Sequence, residues 1–121
     1  MAILKTINLE MGMPTVDEAR RRLAEELRQS RNAGVVAIKV IHGYGSTGVG
    51  GALRDGLRKS LRLRRKEGLV AEIVFGERWD IFDSVTQKVL TALPELARDS
   101  DLQKSNPGIT IVLMKFSASG S

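Results

Sequence analysis

The stretch of sequence that decides the fold runs Ile38-Lys39-Val40-Ile41-His42-Gly43-Tyr44-Gly45-Ser46-Thr47-Gly48-Val49-Gly50-Gly51. A run of β-forming residues ends in a loop with five glycines in nine residues, and a basic helical pattern follows. Glycine loses more conformational entropy on folding than any other residue, so a strand-to-helix turn this rich in glycine usually uses its exposed backbone. Backbone N–H groups at the positive end of a helix bind anions such as phosphate. The loop is therefore predicted to face a phosphate, and the single histidine, His42, stands at its start.

Positive charge is concentrated directly after this loop. The segment from Arg54 to Lys66 holds seven basic residues and one acid, whereas acids slightly outnumber basic residues in the rest of the chain. Within that segment a basic ridge is predicted at near-helical spacing, formed by Arg54, Arg58, Arg62 and Arg65 or Lys66. Acidic i+4 partners are nearly absent, so the like charges repel one another unless a polyanion relieves them. This asymmetry indicates a polyanionic partner.

The composition excludes several classes of protein. With no cysteine and one histidine among 121 residues, the chain has no disulfide and no thiolate metal site, and a zinc site is not expected. No segment approaches the roughly 20 apolar residues of a membrane span, and the start of the chain lacks a secretory pattern. We therefore expect a cytoplasmic protein that needs no cofactor, with a divalent metal only if it is a nuclease.

Hydrophobic patterns predict the element order β-α-β-α-β-(α)-β. Strands are expected near residues 4–9, 35–41, 69–75 and 109–116. Helices are expected in three places: after a cap at Thr15, from about Gly51 to Lys66, and from Asp83 or Ser84 to Leu93. This alternation favours an α/β fold with a mostly parallel sheet, because parallel strands need helical crossovers. With three helices, a two-layer α/β sandwich is favoured over a doubly wound sheet.

The glycine pattern alone leaves three interpretations open. These interpretations are a flexible connection, a dinucleotide-binding turn and another phosphate-binding turn. Gly43, Gly45 and Gly48 spell G-x-G-x-x-G after a strand, but the predicted helix starts late and the nearest following acid, Glu77, lies too far along the chain. A Walker A loop is not expected because no Gly-Lys-Ser/Thr follows.

A longer pattern carries a resemblance to a known family. His42-Gly43-Tyr44-Gly45-Ser46-Thr47-Gly48, followed by Ala52-Leu53-Arg54-Asp55-Gly56-Leu57, resembles the H-G-x-G-x-G…L-R-x-x-[LV] segment of Smr (small MutS-related) domains. Val16-Asp17-Glu18-Ala19 with Leu23 is similar to the V-x-E-A-x-x-x-L start of that family's first helix. The resemblance implies a two-layer α/β fold similar to the C-terminal domain of bacterial translation initiation factor three. It also implies binding of DNA or RNA, cleavage in several members, and a phosphate-facing role for His42, Gly43, Gly45 and Gly48.

The chain departs from the family pattern in two places. Where the family's first strand ends in L-D-L-H-G, this chain reads Ile7-Asn8-Leu9-Glu10-Met11-Gly12, so Asn8 and Glu10 occupy the positions that the resemblance ties to cleavage. The segment at about 77–107 is also longer than the family minimum. We expect a single Smr-like domain over residues 1–116 that contains this insertion, and a disordered tail at 117–121.

Three functional hypotheses stand at this point. The first is a nucleic-acid-binding module that contacts phosphates through the loop and the basic helix, using His42, Gly43, Tyr44, Gly45, Ser46, Thr47, Gly48, Arg54, Arg58, Arg62 and Arg65. The second is a metal-dependent nicking endonuclease in which His42 acts as general base or stabilises the developing phosphate charge, with Glu10 or a metal-bound water as its partner. In the alternative to catalysis, His42 is a loop histidine hydrogen-bonded to backbone. The third is a protein that binds a nucleotide or a phosphorylated small molecule.

Overall fold

The computed structural model describes residues 3–43 and 48–115, which form four strands and three α-helices. The strands are β1 (Ile3–Asn8), β2 (Val35–Ile41), β3 (Val70–Phe75) and β4 (Ile109–Met114). The helices are α1 (Val16–Asn32), α2 (Gly48–Lys66) and α3 (Ser84–Ala92). Short 3₁₀ helices span Gly76–Arg78 and Pro94–Arg98. The predicted element order is confirmed, and α2 begins three residues earlier than its glycine content suggested.

The four strands form one mixed sheet in the order β1-β2-β4-β3. β1 pairs with β2 in parallel, whereas β4 lies antiparallel to both β2 and β3. The expectation of a mostly parallel sheet was therefore wrong for two of the three pairings. The physical reason is the β3–β4 connection (residues 76–108). It returns to the end of the sheet at which β3 finishes, so β4 runs in the opposite direction, whereas a crossover to the other end would have made the two strands parallel.

Helices α1 and α2 cover one face of the sheet, which we call the helix face. Their apolar stripes pack against Ile38 and Val40 of the central strand, and these side chains are almost fully buried. The stripes consist of Ala19, Leu23 and Leu27 from α1 and Leu53, Leu57 and Leu61 from α2. The predicted cap of α1 is also present, since the Thr15 hydroxyl accepts the Glu18 N–H at 3.1 Å. The sequence periodicity thus predicted this layer correctly.

The β3–β4 connection covers part of the opposite face, which we call the connection face. Trp79, Val89 and Leu93 of the connection pack there against Val74 and Ile111, together with neighbouring apolar residues. α3 follows its Asp83 cap, whose carboxylate accepts the Thr86 N–H at 3.0 Å, and it ends at Ala92, one residue before the predicted end at Leu93. The two-layer description therefore holds for the sheet with α1 and α2 but is incomplete, because the β3–β4 connection adds a partial third layer.

Candidate nucleic-acid interface

The glycine-rich loop begins after β2, at the edge of the sheet that is formed by strand ends and not by an edge strand. At this edge β1, β2 and β3 all end, and β4 begins. This follows from the pairing, because β1, β2 and β3 run in one direction and β4 runs in the other. α2 starts at this edge with Gly48, and its first turn contains no acidic residue. We call this edge the loop edge. The sequence placed Tyr44, Gly45, Ser46 and Thr47 in the phosphate-binding loop, but these four residues lie outside the described part of the chain.

Asn8 and Glu10 both lie at the loop edge, in the turn after β1. The Asn8 side-chain oxygen accepts the backbone N–H groups of Glu10 at 2.9 Å and Met11 at 3.2 Å, so Asn8 orders the turn as an aspartate would. The Glu10 carboxylate lies against Gly43, at the spot that a Cβ on Gly43 would occupy. Gly43 also has φ +75°, a conformation that favours glycine. The structure thus brings Glu10 beside the residue that follows His42.

The His42 side chain is buried, with 1% of its surface exposed. Nδ1 lies 2.7 Å from the Gly43 carbonyl oxygen and Nε2 lies 2.9 Å from the Thr110 hydroxyl. A carbonyl oxygen only accepts hydrogen bonds, so Nδ1 carries the proton, and in the neutral ring Nε2 accepts from Thr110. The backbone N–H groups of His42 and Gly43 both donate to the Gly108 carbonyl at 3.0 Å. The polar atoms by which these two residues were expected to contact a phosphate are therefore already in use.

The surroundings of His42 also set its charge. Burial lowers the pKa of His42 below its usual value, and the nearby Arg58 and Arg54 lower it further, against the raising effect of the Gly43 hydrogen bond. The ring is therefore neutral at pH 7. A histidine hydrogen-bonded to backbone is the alternative to catalysis that the sequence left open, and His42 has this arrangement. Its role as a general base stays a prediction.

The arginines of the predicted basic ridge differ from one another in their surroundings. The Arg58 side chain is only 14% exposed, and its Nη2 donates to Glu77 Oε1 at 2.5 Å. Its guanidinium carbon also lies 4.1 Å from the centre of the Phe75 ring. Arg62 is exposed and stands at 5.1 Å over the same ring. Arg58 is thus largely part of the packing between α2 and β3, whereas Arg62 is available to solvent.

The remaining two arginines of the ridge have acidic neighbours as well. Arg65 Nη2 donates to Glu72 Oε1 at 3.2 Å, and Arg54 Nε lies 3.5 Å from Asp55 Oδ1. The i+4 acids are missing as predicted, but Glu72 on β3 and Glu77 after it supply charge that helical spacing does not reveal. Burial raises the pKa of Glu77, but the Arg58 hydrogen bond and the charges of Arg58 and Arg54 outweigh this and lower it overall. The ridge is therefore partly neutralised from the sheet.

Two partners at the loop edge were missed by sequence reasoning, namely Thr110 beside His42 and Glu77 beside Arg58. They lie 68 and 19 residues away from those side chains along the chain, so no local pattern links them. Across residues 3–43 and 48–115, no three histidine, aspartate or glutamate side chains come together in a way that could hold a metal ion. The described residues therefore do not fit a divalent metal held by protein side chains alone. Nor do they include a helix long and apolar enough to cross a membrane.

The fold and the loop edge define an α/β domain whose strand ends meet the start of a basic helix, and comparison with known proteins assigns the family. The family model "Smr domain" matches residues 9–80, more than half of the chain, and the protein belongs to this family. Smr domains generally bind nucleic acid, and some are nicking endonucleases.

Comparison with solved structures supports the fold. The chain is similar to the crystal structure of the Smr domain of Thermus thermophilus MutS2, with a TM-score of 0.58 and 20% sequence identity over 93% of this chain and 99% of that one. No functionally curated protein matches. The expected likeness to the C-terminal domain of translation initiation factor three is not confirmed.

Proposed function

We propose that this protein is a nucleic-acid-binding module that contacts phosphates through the glycine-rich loop and the arginines of α2. The observation that carries the proposal is the start of α2, which lies at the loop edge with no acid in its first turn and with Arg54 following on the same helix. The first N–H groups of a helix have no partner within it, and the helix dipole adds positive potential there. Membership of the Smr family agrees with this use of the edge.

The two parts of the proposed interface have different tasks. The start of α2 offers backbone N–H groups that donate hydrogen bonds to phosphate oxygens. Such contacts do not depend on the base sequence. Arg54 and Arg62 offer positive charges along the helix, while Arg58 is held between Glu77 and Phe75. Contacts of this kind do not distinguish DNA from RNA. Base stacking on Tyr44 stays a prediction of the sequence.

The proposal is tested by fluorescence anisotropy with labelled duplex DNA and hairpin RNA over a series of salt concentrations. If several phosphates are neutralised, a plot of the log of the binding constant against the log of the salt concentration has a slope steeper than about −3. The variant Arg54→Gln with Arg62→Gln removes two contacts and makes the slope shallower by about 1.8. Its matched control, Arg98→Gln with Lys104→Gln, removes the same charge from the β3–β4 connection and keeps the slope.

The competing hypothesis of a small phosphorylated ligand makes the opposite prediction. A protein that binds nucleotides is stabilised by millimolar mononucleotide or dinucleotide, which raises its melting temperature by mass action. A nucleic-acid module shows this rise with oligonucleotides instead. If mononucleotides raise the melting temperature and oligonucleotides do not bind at low salt, the small-ligand hypothesis replaces the nucleic-acid-binding proposal.

A second candidate activity is the nicking of a phosphodiester strand, and one observation favours it. The carboxylate of Glu10 lies against Gly43 and thus beside the start of the glycine-rich loop, so it is adjacent to the place where a bound phosphate is proposed. Nicking of supercoiled plasmid is assayed with Mg²⁺ or Mn²⁺ supplied in solution. The candidate requires that Glu10→Gln abolishes nicking while binding is retained, and wild-type protein that binds without nicking contradicts it.

A further inference from the structure

A second basic surface lies in the groove between α1 and α2, on the outer side of the helix face. Two neighbouring hollows of about 350 and 300 Å³ share Ala24 and Arg64 and so form one continuous groove. Five arginines line it, compared with two acids, Asp17 and Glu67. The arginines are Arg20, Arg21, Arg28 and Arg31 from α1 and Arg64 from α2. We call this feature the α1–α2 groove.

The α1 arginines of this groove are not neutralised by neighbouring acids. Within the part of the chain that the structure describes, no carboxylate forms an ion pair with Arg20, Arg21, Arg28 or Arg31. The acids in the second half of α1 are engaged elsewhere, since Glu26 pairs with Lys5 at 2.7 Å and Glu25 accepts from Gln29 at 3.2 Å. The ridge on α2 pairs with Glu72 of β3 and with Glu77 after it, whereas the groove keeps a surplus of positive charge.

The groove is also continuous with the loop edge. α1 follows β1 and α2 follows β2, and these parallel strands end at that edge, so both helices begin there and run away from it. The start of α1 packs closely against the middle of α2, where a Cβ on Gly56 would meet Val16. Arg20 to Arg31 spans about 16 Å at 1.5 Å per residue, which matches about five base steps of 3.4 Å along one strand.

We propose that the α1–α2 groove is a second phosphate-binding track, which takes the sugar-phosphate backbone of a nucleic acid that also contacts the loop edge. This inference rests on the proposed function and adds the path of the bound strand. The groove is concave and about as long as a short run of phosphates, so a nucleic-acid backbone suits it. Composition concealed this surface, because α1 holds five arginines and four acids in sequence and only its fold separates them.

The test compares two double variants that lose the same charge. Arg21→Gln with Arg28→Gln removes exposed arginines of the groove, and Arg98→Gln with Lys104→Gln removes exposed charges of the β3–β4 connection. If both groove arginines contact phosphates, the salt slope on duplex DNA becomes shallower by about 1.8 in the groove variant alone. Between 50 and 200 mM salt, wild-type affinity then falls about twelvefold more than that of the groove variant. Equal melting temperatures confirm that both variants remain folded.

The possible outcomes separate this inference from the proposed function. If wild-type protein binds and the groove variant keeps the wild-type slope, the groove is not a phosphate track, and the proposed function at the loop edge is unaffected. If both double variants lose the same slope, the effect comes from overall charge and the inference is likewise overturned. If wild-type protein fails to bind DNA or RNA at low salt, the proposed function and this inference fall together.

Discussion

The two faces of the sheet are covered by layers held in different ways. On the helix face, leucines of α1 and α2 pack in periodic stripes against the strands. On the connection face, Trp79 is fully buried, and its Nε1 donates to Asp99 Oδ2 at 3.0 Å. Lys39 of β2 contacts the same Asp99 carboxylate, since its Nζ lies 2.8 Å from Asp99 Oδ1, and it also lies 2.6 Å from Asp101 Oδ2. The first layer thus depends on periodic apolar contacts, whereas the second adds a few specific polar contacts to its apolar packing.

The polar cluster on the connection face joins the connection to the central strand. The Lys39, Asp99 and Asp101 side chains are at most 23% exposed. Burial lowers the pKa of Lys39, but hydrogen bonds to Asp101 and Asp99 outweigh it and raise the pKa overall. The Lys39 hydrogen bond in turn lowers the pKa of Asp101. Because each charge is held by its partner, removing one of them leaves a partly buried charge without compensation.

The largest effect is expected from a single methyl group on the connection face. A Cβ at Gly76 would overlap the backbone carbonyl of Asn106 and approach that of Ile109, and neither can move without shifting β4. We expect Gly76→Ala to lower the free energy of unfolding by about 3 kcal/mol or more, as overpacking against fixed atoms does. Urea denaturation measures the change.

A matched substitution on the helix face is expected to do the reverse. A Cβ at Gly51 in α2 meets no atom within 4 Å. Gly51→Ala should therefore leave stability unchanged or raise it by about 0.5–1 kcal/mol, since alanine is the better helix former. Equal losses in the two variants would show that the close approach at Gly76 does not distinguish the connection.

The next effect concerns the polar cluster. Lys39→Met keeps the length of the side chain but removes its charge, and it leaves Asp99 and Asp101 side by side. We expect a loss of about 2–3 kcal/mol, because breaking a buried pair exposes the desolvation cost of the remaining charges. Adding Asp101→Asn should recover part of the loss, which a double-mutant cycle measures. No recovery would mean that Lys39 acts through its packing instead of its charge.

The difference between the faces explains how much of the molecule the sequence could predict. Leu53, Leu57 and Leu61 recur at helical spacing, so α2 and its buried face followed from local pattern, as did the Asp83 cap of α3. The position of β4 between β2 and β3 did not follow, because strand order depends on where a long connection re-enters the sheet. Local alternation between strand and helix carries no information on that point.

The candidate site divides in the same way. The glycine-rich loop, the basic helix and the family resemblance were evident in the sequence, because glycine content and charge are local properties. The burial of His42 was not, because it depends on Thr110 and Gly108, which β4 brings to β2. The charge pairing of Arg58 and the arginines of the α1–α2 groove also depend on neighbours that are distant in sequence.

A smaller effect of pH is expected from His42 at the loop edge. Its pKa is lowered in the folded protein, so below about pH 6.5 the unfolded chain takes up a proton that the folded protein does not. Stability is therefore full above that pH and falls by up to about 1.4 kcal/mol per unit as the pH drops toward the folded-state pKa. Denaturation curves between pH 7 and 5 test this, and His42→Gln should remove the slope. A slope that survives in the variant would assign it to another group.

A further effect separates two arginines of the basic ridge. Arg58 is largely buried, bonded to Glu77 and stacked on Phe75, whereas Arg62 is exposed over the same ring. We expect Arg58→Gln to cost about 1–2 kcal/mol of stability, as the loss of a charged hydrogen bond and a cation–π contact does, and Arg62→Gln to cost less than about 0.5 kcal/mol. Thermal denaturation of the two variants measures the difference.

The same pair of variants decides which arginines serve the nucleic acid. An arginine already held by a carboxylate must give up that partner to bind a phosphate, so its net gain is small. Arg62→Gln should therefore reduce the salt slope of binding by about 0.9, while Arg58→Gln reduces it less. If Arg58→Gln instead reduces the slope by as much as Arg62→Gln and costs no stability, Glu77 releases Arg58 to the ligand. In that case the α2 ridge, and not the start of the helix alone, forms the main contact at the loop edge.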